Sequence, residues 1–438
     1  MRRMKDSGIE WIGEIPDNWT IIPLKFAASF NIQTLPETTF ADYCFRYVDI
    51  GSVAYGNGIT EYKECIFGEA PSRARRIVSV GDTIISTVRT YLKAIAYIND
   101  ADNVIVSTGF SVLTPKEQIV PKFLFFSCLS EGFIQEVVKH SSGIAYPAIN
   151  EDILSSIPIL LPTYSEQQSI AAYLDEKCSA IDSAIAKLRS SIEKLKEYRL
   201  SLITEAVTKG LDRDVPMKDS GVEWIGEVPE HWTLSRLSFL MKSMEGGVSV
   251  NAGQEPAKED ELGVLKTSCV SKFVFNAEEN KSVNHDEEHR VACPVTANTI
   301  IVNRKNTPEL VGACGYTDKS YPNIFLSDLL WQIHFHDDVN VKYVYYFLRS
   351  KNVRNYYGSL STGSSSSMSN ITQWDFSHSS IALPPCDEQT ATVTYLDGKC
   401  SAIDSAIARK QSLIDSLTAY KKSLIYETVT GKREAPSA

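Results

Sequence analysis

Arg73, Arg75, Arg76, Arg89 and Lys93 crowd into one stretch of a 438-residue chain, with Tyr91 among them. Lys266, Lys272, Arg304 and Lys305 form a second cluster further on. Arginine presents a fork of donors that matches the guanine edge, and lysine neutralises phosphate. Short polar runs accompany each cluster. Ser142 and Gly143 lie in one such run, Ser268 near the second cluster, and Thr362, Gly363 and Ser364 open a serine-rich loop. Their backbone N–H groups suit phosphate oxygens. These sixteen residues are the candidate contacts to double-stranded DNA. The plain alternative for any one of them is a solvated charge or an ordinary turn.

Signatures of catalysis are missing. No G-x-x-x-x-G-K-[ST] phosphate loop occurs, and no glycine-rich cofactor loop follows a strand. Leu383-Pro384-Pro385-Cys386 resembles the D/N-P-P-Y/F of adenine methyltransferases only superficially. It lacks both the polar residue that would hold the target amino group and the aromatic that would stack on the base, so it reads as a linker. His334 and His336 alternate on one strand without a third metal ligand. Nine cysteines form no C-x-x-C pair, and they read as reduced, mostly buried thiols. No catalytic or metal-binding residue is therefore assigned. No secretory signal and no apolar run of about 18 residues is found, so a cytoplasmic protein without membrane contact is expected. The net charge of −10 argues against a polybasic DNA binder. Basic groups must be gathered locally, or partners must supply phosphate contacts.

The elements that hold these residues come in duplicate. Residues 4–26 and 217–239 agree at 15 of 23 positions, both beginning MKDSG and continuing through EWIGE. Residues 166–209 and 388–431 agree at 25 of 44 positions, sharing YLD and KCSAIDSAIA. Between them lie regions of about 27–165 and 240–387 that differ strongly in sequence. Weak parallels survive: Gly81–Ser86 with Ala297–Asn303, and Ser141-Ser142-Gly143 before Asn150 with Ser361-Thr362-Gly363 before Asn370. The pattern fits one scaffold with two diverged faces.

The longer repeats read as helices with a heptad seam. The first seam runs Leu174, Cys178, Ile181, Ile185, Leu188, Ile192, Leu195, Arg199, Leu202 and Ala206. The second runs Leu396, Cys400, Ile403, Ile407, Lys410, Ile414, Leu417, Lys421, Leu424 and Thr428. Such stripes need a partner, and each other's antiparallel copy is the nearest. Ser165 with Gln168 is the expected capping box of the first helix, Asp387 the expected cap of the second, and Gly210 the first helix's stop. In the variable regions, Phe45–Val53, Asp82–Val88, Ile95–Ile98, Val104–Leu113, Val264–Ser268, Thr299–Asn303 and Ile324–Phe335 read as strands. Pro121–Lys139 and Val341–Asn355 read as helices. The expected fold is α+β: two pseudo-repeated recognition domains, 1–165 and 211–387, with coiled-coil helices at 166–210 and 388–432 and a tail at 433–438.

The repeated K-D-S-G-x-E-W-I-G-E-x-P-x-x-W, followed later by E-Q-x-x-I-x-x-x-L-D, resembles the specificity subunits of type I restriction–modification systems. Lys5 to Trp19, Lys218 to Trp232, Glu166, Gln167, Ile170, Leu174 and Asp175 carry the match. The second copy keeps Glu388, Gln389, Leu396 and Asp397 but has Thr392 in place of isoleucine. The resemblance implies that each variable region reads half of a split DNA site and that the helices set the gap. It implies methyltransferase subunits, two of them, bringing S-adenosylmethionine. It also implies restriction subunits that use ATP and Mg, with no cofactor in this chain. A standalone DNA-binding regulator is the rival reading.

Overall fold

The computed structural model describes residues 2–360, 362–365 and 368–436, with the backbone alone for 362–365. The chain divides into two compact units, Met1–Arg189 with Gln411–Ala438, and Ser190–Lys410.

Each unit is built on two four-stranded sheets with the same wiring. In the first unit an antiparallel sheet runs Ile95–Tyr97, Thr83–Ser86, Phe110–Pro115, Ala28–Phe30. The other sheet runs Lys63–Ile66, Cys44–Val48, Val104–Ser107, Ala74–Ile77, with the two middle strands parallel. The second unit repeats both. One sheet runs Cys314–Thr317, Thr299–Asn303, Leu330–Phe335, Met241–Gly246, and the other Asn280–Ser282, Gly263–Leu265, Tyr321–Phe325, Pro294–Val295. Gly263–Leu265 and Tyr321–Phe325 again lie parallel. Central strands are buried on both faces, as Thr83–Ser86 and Thr299–Asn303 show, which explains their unbroken β-branched character.

Two expected strands run on into 3-10 turns, Phe45–Val53 at Ile50–Ser52 and Val264–Ser268 at Thr267–Val270, and four other expected elements prove to be two each. Val104–Leu113 divides at Thr108-Gly109, where the chain leaves one sheet for the other, and Ile324–Phe335 divides likewise between Phe325 and Leu330. Alternation of apolar residues carries no signal for a change of sheet. Pro121–Lys139 forms Pro121–Leu129 and Glu131–Lys139, and Val341–Asn355 forms Val341–Arg349 and Lys351–Leu360. A buried serine sits at each break in extended conformation, Ser130 at φ −64, ψ 139 and Ser350 at φ −61, ψ 151.

The long helices span Tyr164–Lys209 and Cys386–Val429. Every seam residue is buried or half-buried. In the first unit Lys421 Nζ meets both oxygens of Asp182 at 2.7 Å, and Arg433 lies beside Tyr173, so the segments run antiparallel. In the second unit Arg199 pairs with Asp404, and Tyr395 shares a pocket with Leu202 and Ala206, the same direction again. The first helix starts earlier than expected. Thr163 and Glu166 form the capping box, with the Thr163 N–H donating to Glu166 at 3.0 Å and the Glu166 N–H to Thr163 Oγ1 at 3.3 Å. Ser165 and Gln168 lie inside the helix, past its cap, as does Asp387 in the second helix. Gly210 ends the first helix at φ +76.

The short and long repeated motifs meet within each unit. Trp19 Nε1 donates to Glu166 at 3.4 Å, and Trp232 Nε1 donates to Glu388 at 3.0 Å. Lys5 Nζ binds the Asp17 carbonyl at 2.7 Å, and Lys218 Nζ binds that of Trp232 at 2.7 Å. Gly210 packs on Trp232 and Pro229, while Gly431 packs on Trp19 and Pro16. Each short motif therefore receives the end of one long helix and the start of the other. The repeats are a structural joint.

Candidate nucleic-acid interface

In the first unit, the strand Thr83–Ser86 runs out into an exposed turn, residues 87–93, that pairs with the loop 141–148. The Arg89 N–H donates to the Pro147 carbonyl at 2.7 Å, Ser142 and Ala148 exchange two backbone bonds of 2.9 Å, and Thr90 and Ser141 share a hydroxyl contact of 2.7 Å. Arg89 and Lys93, at φ 54 and 53, flank the 3-10 turn Thr90–Leu92 in left-handed conformation. Gly143, at φ +113, supplies the tight turn of the opposing loop. The Arg89 guanidinium lies 4.8 Å from the centre of the Tyr146 ring. Tyr91, Leu92, Ile144 and Tyr146 all stand exposed around it.

The structure sorts the first basic cluster. Arg89, Tyr91, Ser142 and Gly143 share this platform. Arg73 reaches its edge, since the Thr108 N–H donates to the Arg73 carbonyl and the Thr87 N–H to that of Gly109. Arg75 is turned inward, stacked 4.5 Å from the Phe67 ring and bonded to the Ala74 carbonyl. Arg76 contacts Thr34 at 3.5 Å and is half-buried. Lys93 is held by Glu131 at 2.7 Å, beside Tyr55. Burial pushes the Glu131 carboxyl up, but the Lys93 and Tyr55 hydrogen bonds and the nearby cations bring it below its ordinary value. Burial and then Glu131 push the Tyr55 hydroxyl up.

The second unit builds a corresponding platform with different side chains. Lys305 pairs with Asn370, which pairs in turn with Thr362. Lys305 is exposed, and its side chain has no partner among the described residues. The side chains of Thr362, Gly363 and Ser364 lie outside the described residues, as do Ser361, Ser366 and Ser367 entirely. Arg304 is anchored, its Nε donating to the Asp328 carbonyl at 2.8 Å. Lys266, Ser268 and Lys272 gather on Glu279. Ser268 Oγ donates to it at 2.5 Å and Lys266 stands 3.6 Å away, and together these hold its carboxyl below its ordinary value. Buried Asn303 links the groups, with Nδ2 3.5 Å from the Thr267 carbonyl.

The faint sequence parallel between these loops is two residues out of step. Ala148 occupies the pairing position of Asn370, whereas Asn150 caps the helix Glu151–Ser156, the work that Thr372 does in the second unit. Sequence reasoning missed Tyr146 and Ile144. Their signal was present in the loop itself: neither 87–93 nor 141–148 contains a carboxylate, in a chain of net charge −10. Among the described residues no group of His, Cys, Asp and Glu is placed to hold a metal ion. No described helix is long and apolar enough to cross a membrane.

A family model for the type I restriction modification DNA specificity domain matches residues 55–194 and 231–413. The chain belongs to this family. The two matches fall one on each repeat, as the duplicated topology requires. The specificity subunit of the type I restriction enzyme EcoEI from Escherichia coli is 26% identical over 223 residues, 50% of this chain and 37% of that protein. The EcoKI specificity subunit of Escherichia coli strain K12 is 24% identical over 317 residues, 69% of this chain and 65% of that protein. The chain thus spans less than two thirds of these relatives. A chain from a solved structure concerned with complex assembly and conformational transition of the type I R-M system superposes with a TM-score of 0.72. It is 19% identical, and the match covers 96% of this chain and 99% of that one. The resemblance read from the motifs is therefore correct as to family and fold, and no relative named here is a standalone regulator.

Proposed function

We propose that this chain is the DNA-specificity subunit of a cytoplasmic type I restriction–modification complex and carries out no chemistry itself. Each α+β unit reads one half of a split double-stranded site, and the paired helices fix the unread gap. Two methyltransferase subunits bring S-adenosylmethionine, and restriction subunits use ATP and Mg. The observation that carries this reading is the duplication itself. Two domains whose four-stranded sheets share one strand order present loop platforms of different chemistry, Arg89 with Tyr146 in one and Lys305 with the strand Met368–Asn370 in the other. A protein that read one sequence twice would have no use for that divergence.

Binding selection tests it. The chain, co-purified with its methyltransferase subunits, is offered a randomised duplex library. Two short blocks at a fixed separation are the expected selection. A single contiguous block, or selection by the isolated chain equal to that of the complex, would favour a standalone regulator.

A further inference from the structure

Of the basic residues in the first unit's platform region, Arg89 alone combines an anchored backbone, an aromatic support and a free guanidinium. Its N–H is fixed to Pro147, its guanidinium rests on Tyr146, and no hydrogen-bond or ion-pair partner for that guanidinium occurs among the described residues. Arg75 is half-buried against Phe67 and bonded to the Ala74 carbonyl, Arg76 is half-buried beside Thr34, and Lys93 is paired with Glu131. Arg73 has a free side chain but no support among the described residues. Left-handed backbone at two non-glycine residues, Arg89 and Lys93, is costly and is kept where neighbours enforce it, commonly at ligand sites. Here it turns Tyr91 and Leu92 outward while Thr90 stays buried against Ser141.

A phosphate contact needs charge and tolerates a mobile side chain. A base contact needs the planar fork held in one orientation. The Tyr146 stack provides that orientation while leaving all five N–H groups unspent. The surroundings are equally telling. Ile144 is wholly exposed at the loop tip, next to Tyr146, with Tyr91 and Leu92 across from it, and the two segments carry no acid. Exposed apolar side chains beside a free arginine match the major-groove edge of base pairs, where guanine offers two acceptors and thymine a methyl group. A purely electrostatic site would have no use for Ile144.

We propose that Arg89 reads a guanine in the first half-site through bidentate contacts to its major-groove edge, and that Ile144 packs on the methyl of a thymine in the same half-site. This rests on the specificity-subunit reading above and assigns two of its base contacts.

The test uses the complex and the randomised duplex library, with Arg89→Lys, Ile144→Ser and Tyr146→Phe variants. Wild type should select a guanine and a thymine in one block. Arg89→Lys preserves the charge, so the salt dependence of binding should stay unchanged while discrimination for that guanine falls roughly 5- to 150-fold. The other block should not move. Ile144→Ser should relax the thymine alone, and Tyr146→Phe, which keeps the ring, should behave as wild type. Retention of the full guanine preference by Arg89→Lys, or equal weakening at every position of both blocks, would make Arg89 a phosphate contact and overturn the assignment. An unchanged thymine preference in Ile144→Ser would overturn the second contact. Failure of the wild type to select any split site would instead sink the specificity reading, and this assignment with it.

Discussion

Lys421 offers the sharpest test of what holds the helix segments of the first unit together. It is only 9% exposed, and its ammonium donates to both Asp182 oxygens at 2.7 Å and to the Gly56 carbonyl at 2.9 Å. One cation thus ties the two helix segments to each other and to the turn at 55–57. Lys421→Met keeps the stem and removes the charge. Hydrogen bonds to charged groups contribute about 1.5–3 kcal/mol each, but Asp182 is half-exposed and regains water. Removing a buried ammonium also spares its desolvation. A net loss of about 2 kcal/mol is expected. For a unit of this size that lowers the melting temperature by roughly 4–8 °C. Calorimetry reads the shift, and hydrogen exchange should quicken at 54–59 and around Asp182. The second substitution Asp182→Asn should restore part of the loss. A shift under about 1 °C with unchanged exchange would refute the reasoning, placing Lys421 with exposed pairs such as Lys196–Glu193, which are worth about 0–1 kcal/mol.

Further outcomes follow from the same coordinates. Gly431→Ala would set a Cβ 2.5 Å from Pro16 at φ +74, so a cost of about 2–4 kcal/mol is expected, measured by urea unfolding. Glu131 has a lowered pKa in the fold, so its stabilisation is full above its unfolded value near 4.3 and is lost as pH falls through the folded one. Protection of the Tyr55–Asn57 amides, taken relative to their intrinsic exchange rates, should therefore fall only in acid, and Glu131→Gln should abolish that change in protection. Exposed Cys44 and Cys386 should alkylate rapidly at neutral pH. Cys128, Cys269 and Cys314, buried and with thiols pushed up by burial, the last to about 11, should react only after unfolding, as mass spectrometry would show.

The sequence was most informative where local pattern and physical cause coincide. The heptad seams were legible because burial at every third or fourth residue is a one-dimensional consequence of helical pairing. The duplication was legible because the short motifs are joints built by their own polar groups: Asp6 and Asp219 each accept from a glycine two residues on, and Ser7 and Ser220 each accept from the N–H of Ile9 and Val222, also two residues on. The capping box was misplaced because Ser165 and Thr163 both carry hydroxyls, and only the direction of the incoming chain selects between them. Changes of sheet at Gly109 and after Phe325 left no mark in the alternation. The candidate interface was legible only in composition. Which arginines face outward depends on partners distant in sequence, Phe67 for Arg75, Glu131 for Lys93 and Tyr146 for Arg89. Periodicity does not encode those pairings.

The central claim is that this chain selects the DNA on which partner subunits act. The direct measurement is adenine methylation across genomic DNA from cells expressing methyltransferase partners with and without the chain. A new split motif, modified in both halves only when the chain is present, is the predicted result. A stable complex that leaves the methylation pattern the same with and without the chain would contradict it.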